Sequence, residues 1–196
     1  MKLLLATRNP NKTREFRELL VDQFEIADLS TYPEVTLPEE TGTTFEQNAT
    51  LKAVGVSTAV DGLVIADDSG LEVDALNGAP GIYSARYGGV NASDAANIDK
   101  LLRELELGNA PSRSARFRCV IALARAGKAL GTLAGVVEGG ILDQPRGKGG
   151  FGYDPVFQPT GFEETFAEMA PQLKNRISHR GKAVAALQKK LREIRD

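Results

Sequence analysis

Apolar positions along this chain recur in two periods, and the period switches several times. An apolar run at Leu3–Ala6 opens the sequence and predicts a buried strand. After a polar loop, Phe16, Leu19 and Leu20 fall on one face of a helix predicted from Lys12 to Leu20. A second helix is predicted from Thr44 to Val60. Phe45, Ala49, Ala53, Val56 and Val60 form its apolar stripe, and Thr43 with Glu46 form a capping box at its start. Leu63–Ala66 is a further buried strand that runs straight into Asp67-Asp68-Ser69-Gly70. Leu71–Leu76 resumes as a strand and ends at the turn Gly78-Ala79-Pro80-Gly81. A third helix, Ser93 to Leu107, carries Ile98, Leu101, Leu102 and Leu105. Two longer strands, Ala115–Ala126 and Ala129–Val137, are joined as a hairpin at Gly127-Lys128. The last helix runs from Ser178 to the C-terminus with Val184, Leu187, Leu191 and Ile194 at helical spacing. Helix-linked strands together with a hairpin predict an α/β protein with a mixed sheet.

Composition narrows the class. At 196 residues the chain fits one domain, residues 1–196, with a substantial core. Its 42% hydrophobic and 26% charged residues are ordinary for a globular protein. A formal net charge of −2 supplies no basic field, which disfavours a nucleic-acid polymer as partner. The single cysteine, Cys119, excludes an internal disulfide, and its place in the alternating run Ala115, Phe117, Cys119, Ile121 is a core position. The N-terminal apolar run is too short for a signal peptide or a membrane span, so the cytoplasm is the expected compartment.

The densest chemistry lies in GKGGFGYDPVF, Gly147 to Phe157. Glycines allow backbone N–H groups to approach an anion. Phe151 and Tyr153 offer rings to stack on a flat ligand. Asp154, held extended before Pro155, offers acceptors to the edge of such a ring. Together with Gly152, these residues suggest a nucleotide. The first loop, Thr7-Arg8-Asn9-Pro10-Asn11-Lys12, lies where a strand gives way to a helix, a place whose amides and dipole favour anions. It matches neither common phosphate fingerprint.

Asp67-Asp68 at the end of a buried strand is a common location for catalytic or metal-binding carboxylates, and strand alternation turns the two to opposite faces. Glu39-Glu40 precedes the second helix. Carboxylates from two loops suit Mg²⁺, a cation that takes oxygen ligands and keeps waters. Ser178-His179-Arg180 opens the last helix, with Ser178 as its cap and His179 and Arg180 as donors to a carbonyl or phosphate. Without a nucleophilic serine motif, the lone histidine does not make a hydrolase triad. Lys52 and Lys174 gain meaning only if a triphosphate binds, because such a ligand requires several cations.

In order along nearly the whole chain, the sequence presents Ala6–Lys12, the Glu-Thr-Gly-(x)2-Phe-(x)2-Asn-Ala pattern at Glu40–Ala49, Asp67–Leu71, Gly78–Tyr87, Gly150–Pro155 and Ser178–Arg180. This ordered set resembles the inosine triphosphate pyrophosphatase family, the dITP/XTP pyrophosphatases that remove deaminated purine nucleotides. The resemblance implies an elongated mixed sheet flanked by helices, two lobes with an active-site cleft between them, and a homodimer. It implies hydrolysis between the α- and β-phosphates of Mg²⁺-bound dITP, ITP or XTP, with Asp68 as both general base and metal ligand. By the same resemblance Ser69 contacts the nucleotide, and a glutamate of the Glu39-Glu40 pair shares the metal, the alignment through the Leu-Pro-Glu run favouring Glu39. Thr7 to Lys12, Lys52 and Lys174 hold phosphates. Phe151 stacks on the base, while Asp154, His179 and Arg180 read its edge.

Overall fold

The computed structural model describes residues 2–20, 24–108 and 112–195. Strand β1 (Lys2–Leu5) buries Leu3, Leu4 and Leu5. Helix α1 (Pro10–Leu20) starts with a proline, whose missing N–H costs nothing at a helix's first position, and buries Phe16 and Leu20. Strand β2 (Glu25–Asp28), too short and polar to be predicted, pairs parallel to β1 with Ile26 opposite Leu3.

Helix α2 (Phe45–Ser57) is capped one residue later than predicted. Thr44 Oγ1 accepts from the Gln47 amide at 3.2 Å, and Gln47 Oε1 accepts from the Thr43 amide at 2.7 Å. The helix ends before Val60 because the Ser57 and Thr58 hydroxyls donate back to the Val54 and Gly55 carbonyls and close the last turn.

Strand β3 (Leu63–Val73) is one strand where the sequence predicts two, and Leu3 of β1 pairs parallel with its Leu63. It continues through Asp67-Asp68 because those buried carboxylates find cations, as described below. Asp74–Leu76, predicted as strand, forms a short 3₁₀ turn closed by Asn77 at φ +52°. Helix α3 (Asp94–Leu107) is capped by Ser93 Oγ. Strands β4 (Ser114–Arg125) and β5 (Lys128–Ile141) meet at Ala126-Gly127, where both residues have positive φ, one position ahead of the predicted turn. Strand β6 (Phe157–Pro159) runs antiparallel to β5. Helix α4 (Pro171–Ile177) was not predicted. Ser178 lies extended between it and α5 (His179–Arg195), and residue 196 of the predicted last helix is outside the described residues. The sheet order is β2-β1-β3-β4-β5-β6, mixed as expected, with helices flanking it.

The chain divides into two compact units. The first comprises Met1–Asp68, Cys119–Gly135 and Arg180–Asp196. Its core gathers Leu3, Leu5, Phe16, Ile65, Ile121 and Leu187. The second comprises Ser69–Arg118 and Val136–His179, with a core around Leu71, Leu101, Phe117, Tyr153, Phe157 and Phe166. Among the described residues no helix is long and apolar enough to cross a membrane.

Candidate active site

In the first unit, β3 carries Asp67 and Asp68 out of a fully apolar run, and each is buried against its own cations. Asp67 Oδ1 lies 2.6 Å from Lys12 Nζ, and its Oδ2 accepts from Arg180 Nη2 at 3.0 Å and Nε at 3.3 Å. Arg180 in turn donates from Nη1 to Glu15 at 2.5 Å. Burial would raise the Asp67 pKa, but Lys12, Arg180 and Lys52 overcome it and hold this carboxyl far below the usual range. The buried Cys119 thiol donates to Asp67 at 3.6 Å. Burial and that carboxylate push its pKa well above normal, so it is a core residue and not a nucleophile.

Asp68 faces a different partner. Lys52 Nζ donates to Asp68 Oδ1 at 3.2 Å, to Glu40 Oε1 at 2.7 Å and to the Asp67 carbonyl at 2.9 Å, so all three ammonium protons are used. Burial alone would depress the Lys52 pKa. Asp68, Asp67 and Glu40 more than offset it and raise the value. For Asp68 burial raises the pKa, and the opposing pull of Lys52 and Lys12 does not restore the usual one. Its Oδ2 is buried without a hydrogen-bond partner among the described residues. The carboxylates of Glu15, Glu40, Asp67 and Asp68 thus meet Lys12, Lys52 and Arg180 in one cluster. Of the two glutamates before α2, the structure brings Glu40 to this cluster, while Glu39 is exposed.

The first loop is organised by its own oxygens. Thr7 Oγ1 accepts from the Asn9 amide, and Asn9 Oδ1 accepts from the amides of Asn11 and Lys12. Arg8 turns away to the Leu29 and Val35 carbonyls, at 2.9 Å each, and ties down the segment after β2.

In the second unit, Asp154 Oδ2 accepts from Lys174 Nζ at 2.6 Å and from the Phe151 amide at 2.8 Å. The Lys174 ammonium sits 5.2 Å from the centre of the half-buried Phe151 ring. Lys174, which the resemblance assigns to the phosphates, lies against the aromatic loop in this structure. The glycine loop spends its amides on the protein: Gly149 donates to Ala167, and Gly152 donates to Asp94 Oδ2 at 2.7 Å. A side chain on Gly147 would strike Ala167 and one on Gly150 would strike Asp154, so these glycines close the loop on itself and do not form an anion cradle. Tyr153 is likewise not a stacking platform. Its ring is buried in the core, and its hydroxyl donates to the Ser84 carbonyl at 2.9 Å. Ser69 is half-buried on β3, one step beyond Asp68. His179 stacks on Phe117 at 4.7 Å between ring centres, and Arg180 is buried with Asp67 and Glu15. Sequence reasoning missed Glu15, Asn48 and Asp94. Of these, Glu15 had a signal, because it stands beside Phe16 on the face α1 buries.

The model of the Ham1 family matches residues 3–190. The chain belongs to the Ham1 family. Among its Ham1 relatives, the dITP/XTP pyrophosphatase of Bacillus licheniformis is 47% identical over 190 residues, covering 95% of each chain. The dITP/XTP pyrophosphatase of Bacillus subtilis strain 168 is 47% identical over 192 residues and 96% of each. The solved structure of a HAM1 protein from Coxiella burnetii superposes with a TM-score of 0.89 at 44% identity, over 98% of this chain and 99% of that one. The Staphylococcus aureus Ham1 protein gives 0.87 at 43% identity, with the same coverage.

Proposed function

We infer that the protein is a nucleoside triphosphate pyrophosphatase that hydrolyses deaminated purine nucleoside triphosphates (dITP, ITP and XTP) to monophosphate and pyrophosphate. One observation carries the chemical reading: two carboxylates, Asp68 and Glu40, meet on one buried ammonium, and Asp68 keeps an unpaired buried oxygen. A nucleotide triphosphate would add more negative charge to this cluster of carboxylates. That added charge and the all-oxygen donor set fit a hard divalent cation, for which we propose Mg²⁺ held by Asp68 and Glu40. When bound, the cation compensates charge on the triphosphate and on the departing pyrophosphate.

The protein's own groups supply the rest. Asp68 takes the proton from water as the water oxygen bonds to the α-phosphorus, and the bond from that phosphorus to the pyrophosphate oxygen breaks. Lys12 and Lys52, now held on carboxylates, give point charges to phosphate oxygens. Phe151 stacks on the base, and the Asp154–Lys174 pair presents an acceptor and a donor beside that ring. A donor aimed at a 6-keto oxygen is left unpaired by adenine's 6-amino group, a penalty of about 1 to 3 kcal/mol. Guanine shares the 6-keto group, so this contact alone does not reject GTP. We further propose a cytoplasmic homodimer, consistent with the family resemblance.

The test is incubation of the protein with Mg²⁺ and dITP, XTP, ATP or GTP in parallel, with the products resolved chromatographically. The expected result is monophosphate and pyrophosphate from dITP and XTP, with ATP and GTP largely intact. Diphosphate and orthophosphate would overturn the bond assignment. No turnover by a folded, nucleotide-binding protein would make it a sensor.

A further inference from the structure

The segment bearing Glu40 lies along α2 in the reverse direction, and three contacts fix it there. Pro38 packs over Gly55, where any Cβ would overlap the proline ring. Two residues on, Glu40 meets Lys52 at 2.7 Å. Two further on, the Gly42 amide donates to Asn48 Oδ1 at 2.8 Å, and a Cβ on Gly42 would stand 2.6 Å from that same oxygen. Segment positions 38, 40 and 42 thus meet helix positions 55, 52 and 48. Steps of three and four keep those helix positions on one face. Glu39 and Thr41, the alternate positions, are exposed.

Asn48 is the unusual member. It is fully buried, and its Nδ2 has no hydrogen-bond partner among the described residues. An unpaired interior donor is costly, so an asparagine here is not explained by stability. Its carbonyl oxygen, however, is what draws Gly42 onto the helix and sets where the chain delivers Glu40.

We propose that Asn48 and Gly55 are positioning residues, which seat the Glu40 carboxylate beside Lys52 and Asp68 for cation binding. This rests on the reading of Asp68 and Glu40 as the cation site. Neither residue needs to touch cation or nucleotide. Each fixes one end of a five-residue segment whose middle carries the ligand.

The test uses Gly55→Ala, Asn48→Leu and Glu40→Gln, with the first two made both alone and on the Glu40→Gln background. Three quantities are read: Mn²⁺ bound by the protein without nucleotide, by electron paramagnetic resonance; the Mg²⁺ concentration for half-maximal dITP hydrolysis; and the urea unfolding midpoint. Gly55→Ala improves helix propensity, so it keeps the test open if Asn48→Leu unfolds the chain. Each single variant is expected to weaken Mn²⁺ binding and raise the Mg²⁺ requirement about tenfold or more, as loss of a partner behind a metal ligand does. Turnover at saturating Mg²⁺ should change far less. On the Glu40→Gln background neither substitution should add a further effect. Folded variants with wild-type cation dependence, or effects that add fully to Glu40→Gln, would overturn the proposal. Wild-type cation binding by Glu40→Gln alone would instead remove the cation site itself, and with it the reading on which this rests.

Discussion

Two adjacent aspartates are set to different tasks by what each side chain meets. Asp67 is paired with Lys12 and Arg180 and remains ionised far below neutrality. Asp68 shares Lys52 with Glu40, and burial raises its pKa. A carboxylate held far below the usual range is a poor base, whereas one with a raised pKa is a better one. Asp68→Asn is therefore expected to abolish dITP hydrolysis while leaving the urea midpoint at or above that of the wild type. Normal turnover in that variant would remove Asp68 as the base. Arg180 makes the opposite case. It is buried between Asp67 and Glu15, so Arg180→Met would remove from two interior carboxylates the cation they share. A loss of about 3 to 5 kcal/mol in unfolding free energy is expected, as when one partner of a buried ion pair is removed. A change under about 1 kcal/mol, the value of an exposed pair, would mean that the guanidinium is not committed there. The identities of Asp68 and Lys52 as chemical residues were legible in the sequence, but the division of labour between Asp67 and Asp68 was not. It depends on Lys12, Glu15 and Arg180, which arrive from both ends of the chain.

At the level of elements, amphipathic periodicity located α1, α2, α3 and α5 because one face of each is apolar. It missed β2, β6 and α4, which are short and carry polar residues. It also broke β3 in two, since charged residues in mid-strand look like a loop until their cations are known. The glycine loop was ambiguous for another physical reason. Glycine serves a ligand approaching the backbone and serves a chain folding tightly on itself, and only Ala167 and Asp154, which lie against the loop, decide for the second. Gly150, at φ +71°, is the sharpest instance, because a Cβ there would overlap the Asp154 carboxylate that holds Lys174 and the Phe151 amide. Strain of about 1 to 3 kcal/mol is expected in Gly150→Ala. If the loop relieves it by releasing Asp154, kcat/KM for dITP should fall about tenfold. The loss should appear mainly in KM, because Asp68 and its lysines lie in the other unit. A loss confined to kcat would show that this loop does not hold the base.

Across the whole molecule, the ionic cluster of the first unit predicts how stability responds to acid. Asp67 has a folded pKa far below its unfolded value of 3.8, so the folded state binds its proton less readily than the unfolded state does. The sign follows from linkage: stability from this group is fully present above about pH 4 and is lost as pH falls from there toward the folded pKa. Asp68, shifted the other way, opposes this weakly, because protonating it relieves a buried charge. Unfolding free energy measured in EDTA should then show an acid slope below about pH 4, to which Asp67 contributes up to one proton, or about 1.4 kcal/mol per pH unit. Asp67→Asn should remove that part of the slope. The variant keeps the volume of the side chain and leaves Arg180 on Glu15, so its lower stability at neutral pH should converge on the wild-type curve in acid. Curves that remain parallel down to pH 2.5 would mean that Asp67 titrates alike in folded and unfolded chains. The Lys12–Asp67–Arg180 cluster would then not hold the carboxylate that joins the two ends of the chain.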